Sequence, residues 1–342
     1  MYNLAIIGIV LRVGMKGENK IIMSIYKTDI YIPSINTIHP FNEINTLQQK
    51  GICKAALISH DIYCTEFLNS LVDVFSQNSN KLIVDELNIH DLLLIAIGLR
   101  IESIGLEIPL TITCSKCNKQ HKYTIKLNEL YSKIWKKNNF DKKIEDNNYI
   151  IEMSVPSIKK EIDIMYKLKT IAFTDEVDAI KKTFVLNIDR YITNIKNKST
   201  GKYIELNNKY QFFDNLSIDL ISQMLNSIQQ LQMEYKLFDF KCNIENCTNT
   251  LCKTLNYDLD KFYFFLKLLF KSNVIEILKD EFYLQKIGVS LSYSDQLTHL
   301  ERQIIWSFFN ELEAKKKDVL KTTNNVEKQS RPGIPNYNRR SM

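Results

Sequence analysis

This sequence contains few glycines and lacks the short motifs that mark common catalytic sites. Its 342 residues include only nine glycines, which leaves little room for the glycine-rich loops that hold phosphate groups. The hydrolase pattern G-x-S-x-G and the metalloprotease pattern H-E-x-x-H are both absent. Its five histidines have no neighbours in sequence that would supply a nucleophile, a base and an oxyanion site. We therefore predict that the protein is not an enzyme.

Long apolar runs are also missing. No stretch approaches the roughly 18 residues that a membrane-spanning helix needs, and the apolar residues 4–11 lack the preceding positive charge of a signal peptide. With 45% hydrophobic and 25% charged residues, the chain can bury a sizeable core as two domains, or as one domain with a large insertion. The seven cysteines are clustered rather than spread along the chain, which favours a reducing compartment over a disulfide framework.

The net positive charge of the chain is accounted for by one end of it. Residues 315–342 carry five lysines and three arginines against one aspartate and one glutamate, which equals the whole net charge of +6. The rest of the chain is close to neutral, whereas the body of a nucleic-acid-binding protein would carry a basic face. We predict that residues 318–342 form a basic, disordered tail.

Two cysteine pairs are the most informative feature that is present. Cys114 and Cys117 form a C-x2-C turn between segments of alternating β-formers, which predicts a hairpin with the cysteines at its tip. Cys242 and Cys247 form a second pair with a looser, four-residue spacer. Four thiolates satisfy the tetrahedral coordination of a structural zinc ion, so the sequence predicts Zn²⁺ bound by these four cysteines.

Alternatives to this ligand set remain open at the level of sequence. Cys252 or His121 could take the place of one ligand. The thiols could also be ordinary core residues, since free cysteine is among the most buried residue types. That is the prediction for Cys53 and Cys64, which lie in apolar helical surroundings.

The chain is predicted to be a mainly α-helical α+β protein with a small, zinc-ribbon-like β element and a helical insertion between the two cysteine pairs. Met23 offers an alternative start, and a start there would leave residues 1–22 untranslated. The chain is predicted to have five parts. They are an extended N-terminal segment (1–50), a helical region with the first zinc knuckle, which is the hairpin of Cys114 and Cys117 (51–130), a mostly helical insertion (131–240), the second cysteine pair with the C-terminal helices (241–317) and the tail (318–342).

Several helix boundaries can be read from the sequence. Residues 89–104 read as a buried helix that Asn88 caps and Gly105 ends. Helical spacing also covers residues 175–195 and 217–235. Ser294 is the expected cap of a final helix that runs to about residue 317.

The segment from Asp91 to Leu130 resembles the baseplate proteins of T4-type contractile-tailed bacteriophages. In that family a buried helix ends in a Leu-Arg…Ser-x-Gly phrase, here residues 99–105, and leads directly into a C-x-x-C hairpin, here at Cys114 and Cys117. A short acidic and hydrophobic segment follows, here residues 125–130. The resemblance implies a baseplate hub protein, or an assembly factor that helps to build the hub, with other hub or tail proteins as partners.

Other functions compete with this interpretation. A zinc-ribbon factor of phage transcription or replication would touch phosphates through Lys116, Lys119, Lys122 and Lys241, although the near-neutral body argues against nucleic acid as a partner. A metal-dependent enzyme is a third hypothesis. No small-molecule substrate and no membrane are expected, and the predicted location is the cytoplasm of the infected bacterium, with the tail baseplate of the virion as the alternative.

Overall fold

The computed structural model describes residues 27–58, 64–134, 140–204, 209–232, 234–242, 247, 250–256, 259–271 and 274–329. Within these ranges the protein is mostly helical with small antiparallel sheets, so the predicted α+β class is confirmed. Residues 1–22, which an alternative start would remove, lie outside the described residues. The last part of the predicted tail, residues 330–342, lies outside them as well.

The elements are numbered in chain order. The helices are α1 (Thr46–Ile58), α2 (Thr65–Asn78), α3 (Ile89–Ser103), α4 (Leu127–Ile134), α5 (Ile158–Thr170), α6 (Glu176–Asp189), α7 (Lys209–Asp214), α8 (Ile218–Leu231), α9 (Leu259–Lys271), α10 (Val274–Lys286), α11 (Leu291–Gln296) and α12 (His299–Gln329). The strands are β1 (Lys27–Ile32), β2 (Thr37–Asn42), β3 (Glu107–Thr113), β4 (Gln120–Lys126), β5 (Asp141–Glu145), β6 (Tyr149–Ser154), β7 (Ile192–Asn197), β8 (Glu234–Lys241) and β9 (Thr250–Asn256).

Helix α3 is the centre of the hydrophobic core. Its N-terminus carries a capping box, in which the Asp91 N–H donates to the Asn88 side chain over 2.9 Å and the Asn88 N–H donates to the Asp91 carboxylate over 3.2 Å. All of residues 89–100 are buried, as expected for a helix that is apolar on every side. Gly105 follows the helix with a φ of +131°, a conformation that favours glycine. The predicted cap and stop of this helix are both confirmed.

Other elements enclose α3 from several directions. The β1–β2 hairpin lies on one side, and helices α4, α5 and α9 pack around the others. The hairpin approaches closely because residue 98 is glycine: a Cβ at that position would lie 2.9 Å from Cδ1 of Ile30. Helices α3 and α9 are in contact with each other. This contact is relevant to the site described below, because each of these helices adjoins a hairpin that carries cysteines.

Arg100 joins these two helices to β3. Its side chain is only 2% exposed, and it donates to the carbonyl oxygens of Leu269 over 2.7 Å, Gly105 over 2.6 Å and Glu107 over 3.3 Å. Burial lowers the pKa of this guanidinium to about 10. One side chain thus satisfies carbonyls near the ends of α3 and α9 and at the start of β3, which fixes the direction in which the first cysteine hairpin leaves the core.

The residues between the two cysteine pairs form strands as well as helices. A three-stranded antiparallel sheet of order β5-β6-β7 packs against α8, and helices α5 and α6 connect β6 to β7. The predicted helix over residues 175–195 is too long, because α6 ends at Asp189 and β7 follows. Buried Glu161 on α5 ties this part to the core, since it accepts a hydrogen bond from the Tyr263 hydroxyl over 2.8 Å and lies 3.1 Å from Nε of Arg190.

The C-terminal helices begin differently from the prediction. Ser294 is a buried residue within α11 and does not cap the final helix. The cap is Thr298, whose hydroxyl accepts from the Glu301 N–H over 3.3 Å while its own N–H donates to the Glu301 carboxylate over 2.8 Å. Helix α12 then continues to Gln329, so the first residues of the segment expected to be disordered are helical.

Candidate metal centre

The first cysteine pair sits at the tip of the β3–β4 hairpin, as predicted. The two strands pair in register from Glu107 opposite Lys126 to Thr113 opposite Gln120. At the tip, the Cys114 N–H donates to the Lys119 carbonyl over 2.9 Å, and the Asn118 N–H donates to the Cys114 carbonyl over 2.8 Å. Asn118 adopts a φ of 56°, which asparagine tolerates better than most residues. This turn, residues 114–119, is the first knuckle.

The second cysteine pair lies between the strands of another hairpin. Strands β8 and β9 pair antiparallel, with Cys242 directly after β8 and Cys247 in the connection to β9. The strand β8 contacts β4 and helix α4. The two hairpins therefore meet side by side, although Cys117 and Cys242 are 125 positions apart in sequence.

The four thiols are close enough to share one ion. The Sγ atoms of Cys114 and Cys247 are 3.7 Å apart, as are those of Cys117 and Cys242, and all four sulfur atoms lie within 4.8 Å of one another. A tetrahedron with Zn–S bonds of about 2.3 Å has edges of about 3.8 Å, so these distances suit a tetrathiolate site. They are too long for disulfides, whose S–S distance is about 2.05 Å, and none of these four described cysteines is in a disulfide.

The surroundings of the cluster are apolar on the inside and basic on the outside. Cys114 is 1% exposed and Cys242 is 3% exposed, and they form a small cluster with Ile112 that is separate from the main core. Four exposed lysines lie around the two pairs in sequence. These are Lys116, Lys119, Lys122 and Lys241. Four thiolates around one divalent cation carry a net charge of −2, which nearby lysines would partly offset.

His121, which the sequence left open as a rival ligand or as a residue beside the ligands, is a neighbour of the cluster. Its Nε2 atom lies 3.4 Å from the Sγ of Cys242, a distance that suits a hydrogen bond to a thiolate. Cys252 lies opposite Asp239 in the β8–β9 ladder, and its side chain is outside the described part of the structure. Cys53 and Cys64 are core residues, as predicted.

The chain matches a known protein family. A model of the T4 bacteriophage base plate protein family matches residues 23–272, which is most of the chain. The chain belongs to this family. The four clustered cysteines of this baseplate protein fall inside the matched region, and helices α10, α11 and α12 follow it. No curated protein and no solved structure matches the chain.

Membership in the family fixes the broad setting of the baseplate protein. Baseplate proteins associate with other phage tail proteins and belong to the virion tail. Among the described residues, none of the helices combines the length and the apolar character required to span a bilayer.

Proposed function

We propose that this baseplate protein is a structural or assembly component of the baseplate hub, acts through contacts with other tail proteins, and carries one structural Zn²⁺ bound by Cys114, Cys117, Cys242 and Cys247. The observation that carries the zinc proposal is the convergence of four thiols from two distant hairpins within 4.8 Å. A site with four protein thiolates has no open coordination position, so the role proposed for it is structural rather than catalytic.

The proposed ion would fix where the long insertion leaves and rejoins the body. The two hairpins are connected through more than a hundred residues, so the chain entropy alone opposes their close approach. A metal that binds only the folded arrangement shifts the balance towards it, since its binding free energy becomes folding free energy. The surface presented to tail partners would then be held in one shape.

The zinc proposal can be tested by metal content. We expect one zinc per chain by inductively coupled plasma mass spectrometry, and loss of most of it in the Cys117→Ser variant, because three thiolates and a hydroxyl bind Zn²⁺ less tightly. The matched control is Cys53→Ala, which removes a buried thiol far from the cluster in the main core and should keep its zinc. Stoichiometric zinc in Cys117→Ser, with the fold retained by circular dichroism, would contradict the assignment.

The hub proposal needs a separate experiment. Mass spectrometry is applied to purified virions, to infected-cell lysate and to tail intermediates isolated from that lysate. We expect the protein in the tail intermediates that contain the hub. Detection in the virion as well would favour a hub subunit, whereas detection in the lysate alone would favour an assembly factor that acts in the host cytoplasm. Absence from every tail intermediate would contradict both forms of the proposal.

Nucleic-acid binding is a second candidate function, because four exposed lysines lie around the two cysteine pairs: Lys116, Lys119, Lys122 and Lys241. Neutralisation of phosphates by these lysines would make binding fall steeply with salt concentration. A salt titration with single-stranded and duplex oligonucleotides distinguishes the two functions, because the hub proposal predicts no binding beyond a weak, sequence-independent attraction.

A further inference from the structure

His121 lies on strand β4, with its side chain on the face that meets the second cysteine hairpin. His121 and Tyr123 are partly buried on this face, whereas Lys122 and Thr124, which alternate with them, are exposed. Strand β4 contacts β8, and Cys242 directly follows β8. The regular strand therefore fixes the imidazole on the side of the first hairpin where the second pair of thiols lies.

The imidazole of His121 reaches the sulfur of Cys242. Its Nε2 atom lies 3.4 Å from Sγ, although the two residues are 121 positions apart in sequence. A thiolate that binds a metal has no proton to donate, so the ring must carry its proton on Nε2 and donate it to the sulfur. In the metal-bound protein this contact is a hydrogen bond with His121 as the donor and Cys242 as the acceptor.

The surroundings of this contact are apolar. Cys242 is only 3% exposed. Ile112 lies directly opposite His121 in the β3–β4 ladder and belongs to the same small cluster as Cys242. A hydrogen bond to a charged acceptor is stronger where little water competes for it. Loss of the Nε2–H donor would therefore leave a poorly hydrated thiolate with weaker stabilisation of its charge.

The charge of the metal centre gives this hydrogen bond a role. Four thiolates around one divalent cation carry a net charge of −2, and an N–H donor stabilises part of that charge from outside the coordination shell. His121 is not required as a ligand, because the four sulfur atoms lie within 4.8 Å of one another and can complete a tetrahedron by themselves.

We propose that His121 is a positioning residue of the metal centre, whose Nε2–H orients the Cys242 thiolate and raises the affinity of the site for Zn²⁺. The role assigned to His121 rests on the structural zinc site proposed above. The same hydrogen bond joins β4 to the end of β8, so it acts where the two cysteine hairpins meet. Loss of an outer partner of this kind lowers metal affinity by about 10-fold to 100-fold.

Competition for zinc between the full-length protein and a chromogenic chelator tests this role. His121→Leu removes the donor and should weaken Zn²⁺ binding by about 10-fold to 100-fold, while one zinc per chain still binds at saturating zinc. His121→Gln places an amide N–H at about the reach of Nε2 and should restore most of the affinity. The matched control is Thr124→Leu, which makes an exposed position of the same strand apolar and should bind zinc as the wild type does.

Cobalt substitution distinguishes a positioning residue from a ligand and from a residue that only supports the fold. With Co²⁺ in place of Zn²⁺, His121→Leu should keep the d–d absorption bands of a tetrahedral tetrathiolate site. Its sulfur-to-cobalt charge-transfer band should shift relative to the wild type, because the Cys242 sulfur no longer shares electron density with a donor. A residue that only supports the fold would leave this band in place.

Three results would contradict this role of His121. Equal zinc affinity in His121→Leu and the wild type would overturn it and leave the four-cysteine site intact. Loss of zinc as complete as in Cys117→Ser, with altered d–d bands, would make His121 a ligand and overturn it as well. A wild-type protein that binds no zinc would contradict the proposed metal centre itself, and the role of His121 with it.

Discussion

Glu43 is a buried carboxyl group at the junction between the first hairpin and the C-terminal helix. It follows β2 directly and is only 6% exposed. Burial raises its pKa to about 7, a hydrogen bond with Thr298 lowers it in part, and the nearby carboxylates of Glu301 and Glu102 raise it further. Since its ordinary pKa is about 4.5, the folded protein keeps this proton over a range of pH in which the unfolded chain releases it.

The sign of the resulting pH dependence follows from proton linkage. Below pH 4.5 Glu43 is protonated in both the folded and the unfolded state, so it does not change the free energy of unfolding. Between pH 4.5 and 7 the free energy of unfolding falls as the pH rises. Glu43→Gln keeps a neutral side chain at every pH. We therefore expect this variant to be more stable than the wild type at pH 8, by on the order of 2 kcal/mol, and equal to it near pH 4.5, by urea unfolding.

The control for Glu43 is Glu86→Gln, which removes an exposed carboxylate that is not among the charges acting on Glu43. It should change the stability little and by the same amount at both pH values. A Glu43→Gln variant that is less stable than the wild type at pH 8 would show that Glu43 is ionised and stabilising in the folded protein, contrary to the raised pKa.

Single residues also show where sequence reasoning succeeded and where it failed. Asn88, Asp91 and Gly105 were readable because each acts through its own neighbours in sequence, as a cap or a stop. The sequence predicts Ser294 as the cap of α12, which is wrong, because Thr298 with Glu301 three residues later forms the capping box. The contact of His121 with Cys242 joins two distant hairpins, so no local signal could have revealed it.

At the scale of elements, regular periodicity decided which strands could be predicted. The β3–β4 hairpin alternates without interruption and was predicted from its sequence. In contrast, the β8–β9 ladder shifts register between Lys236 and Phe238, and the β6–β7 ladder shifts between Glu152 and Met153. Each irregularity breaks the two-residue alternation that marks a strand. For this reason the helix predicted over residues 175–195 extends too far, into β7.

The contact of β1 with α3 gives a test of packing between elements. An added methyl at Gly98 would lie 2.9 Å from Cδ1 of Ile30, which is closer than carbon atoms pack. Gly98→Ala gains about 1 kcal/mol of helix propensity but loses about 1 to 3 kcal/mol through overpacking. We expect a net loss of about 1 kcal/mol, measured by urea unfolding.

The chain supplies a control and a rescue for this variant. Gly51 lies on α1 with open space where its Cβ would be, so Gly51→Ala should stabilise the protein by about 0.5 to 1 kcal/mol. Ile30→Val removes the atom that the new methyl would meet. The double variant should therefore lose less than the sum of the two single losses, and strict additivity would contradict the proposed contact.

At the scale of the whole molecule, the protein has two separate sources of stability. The main core is built on α1, α2, α3 and α9 with parts of the insertion, whereas Cys114 and Cys242 belong to a different, small cluster. The sequence predicts the burial of α3, which is apolar throughout, and a grouping of the four cysteines, whose spacings are typical of metal ligands. It could not predict that α3 and α9, which adjoin the two hairpins, are joined by Arg100, because that contact spans 169 positions of the chain.

This division predicts how the protein responds to removal of the metal. A small zinc finger unfolds without its ion because it has little other core, but here the core around α3 contains none of the four cysteines. We therefore expect chelation to leave most of the helical circular dichroism intact and to loosen only the two hairpins. Hydrogen exchange should become faster in residues 107–126 and 234–256 and stay slow in α3.

The variant Cys117→Ser should show the same local pattern without chelator, and Cys53→Ala should respond to chelator as the wild type does. If chelation instead unfolds α3 together with the hairpins, the metal centre would support the whole fold rather than the junction of the insertion. If chelation changes exchange nowhere, the four thiols would bind no ion that matters for structure. The confined response is expected because Arg100 holds β3 to the ends of α3 and α9, so that the hairpins lose their shared ligand but keep their attachment to the core.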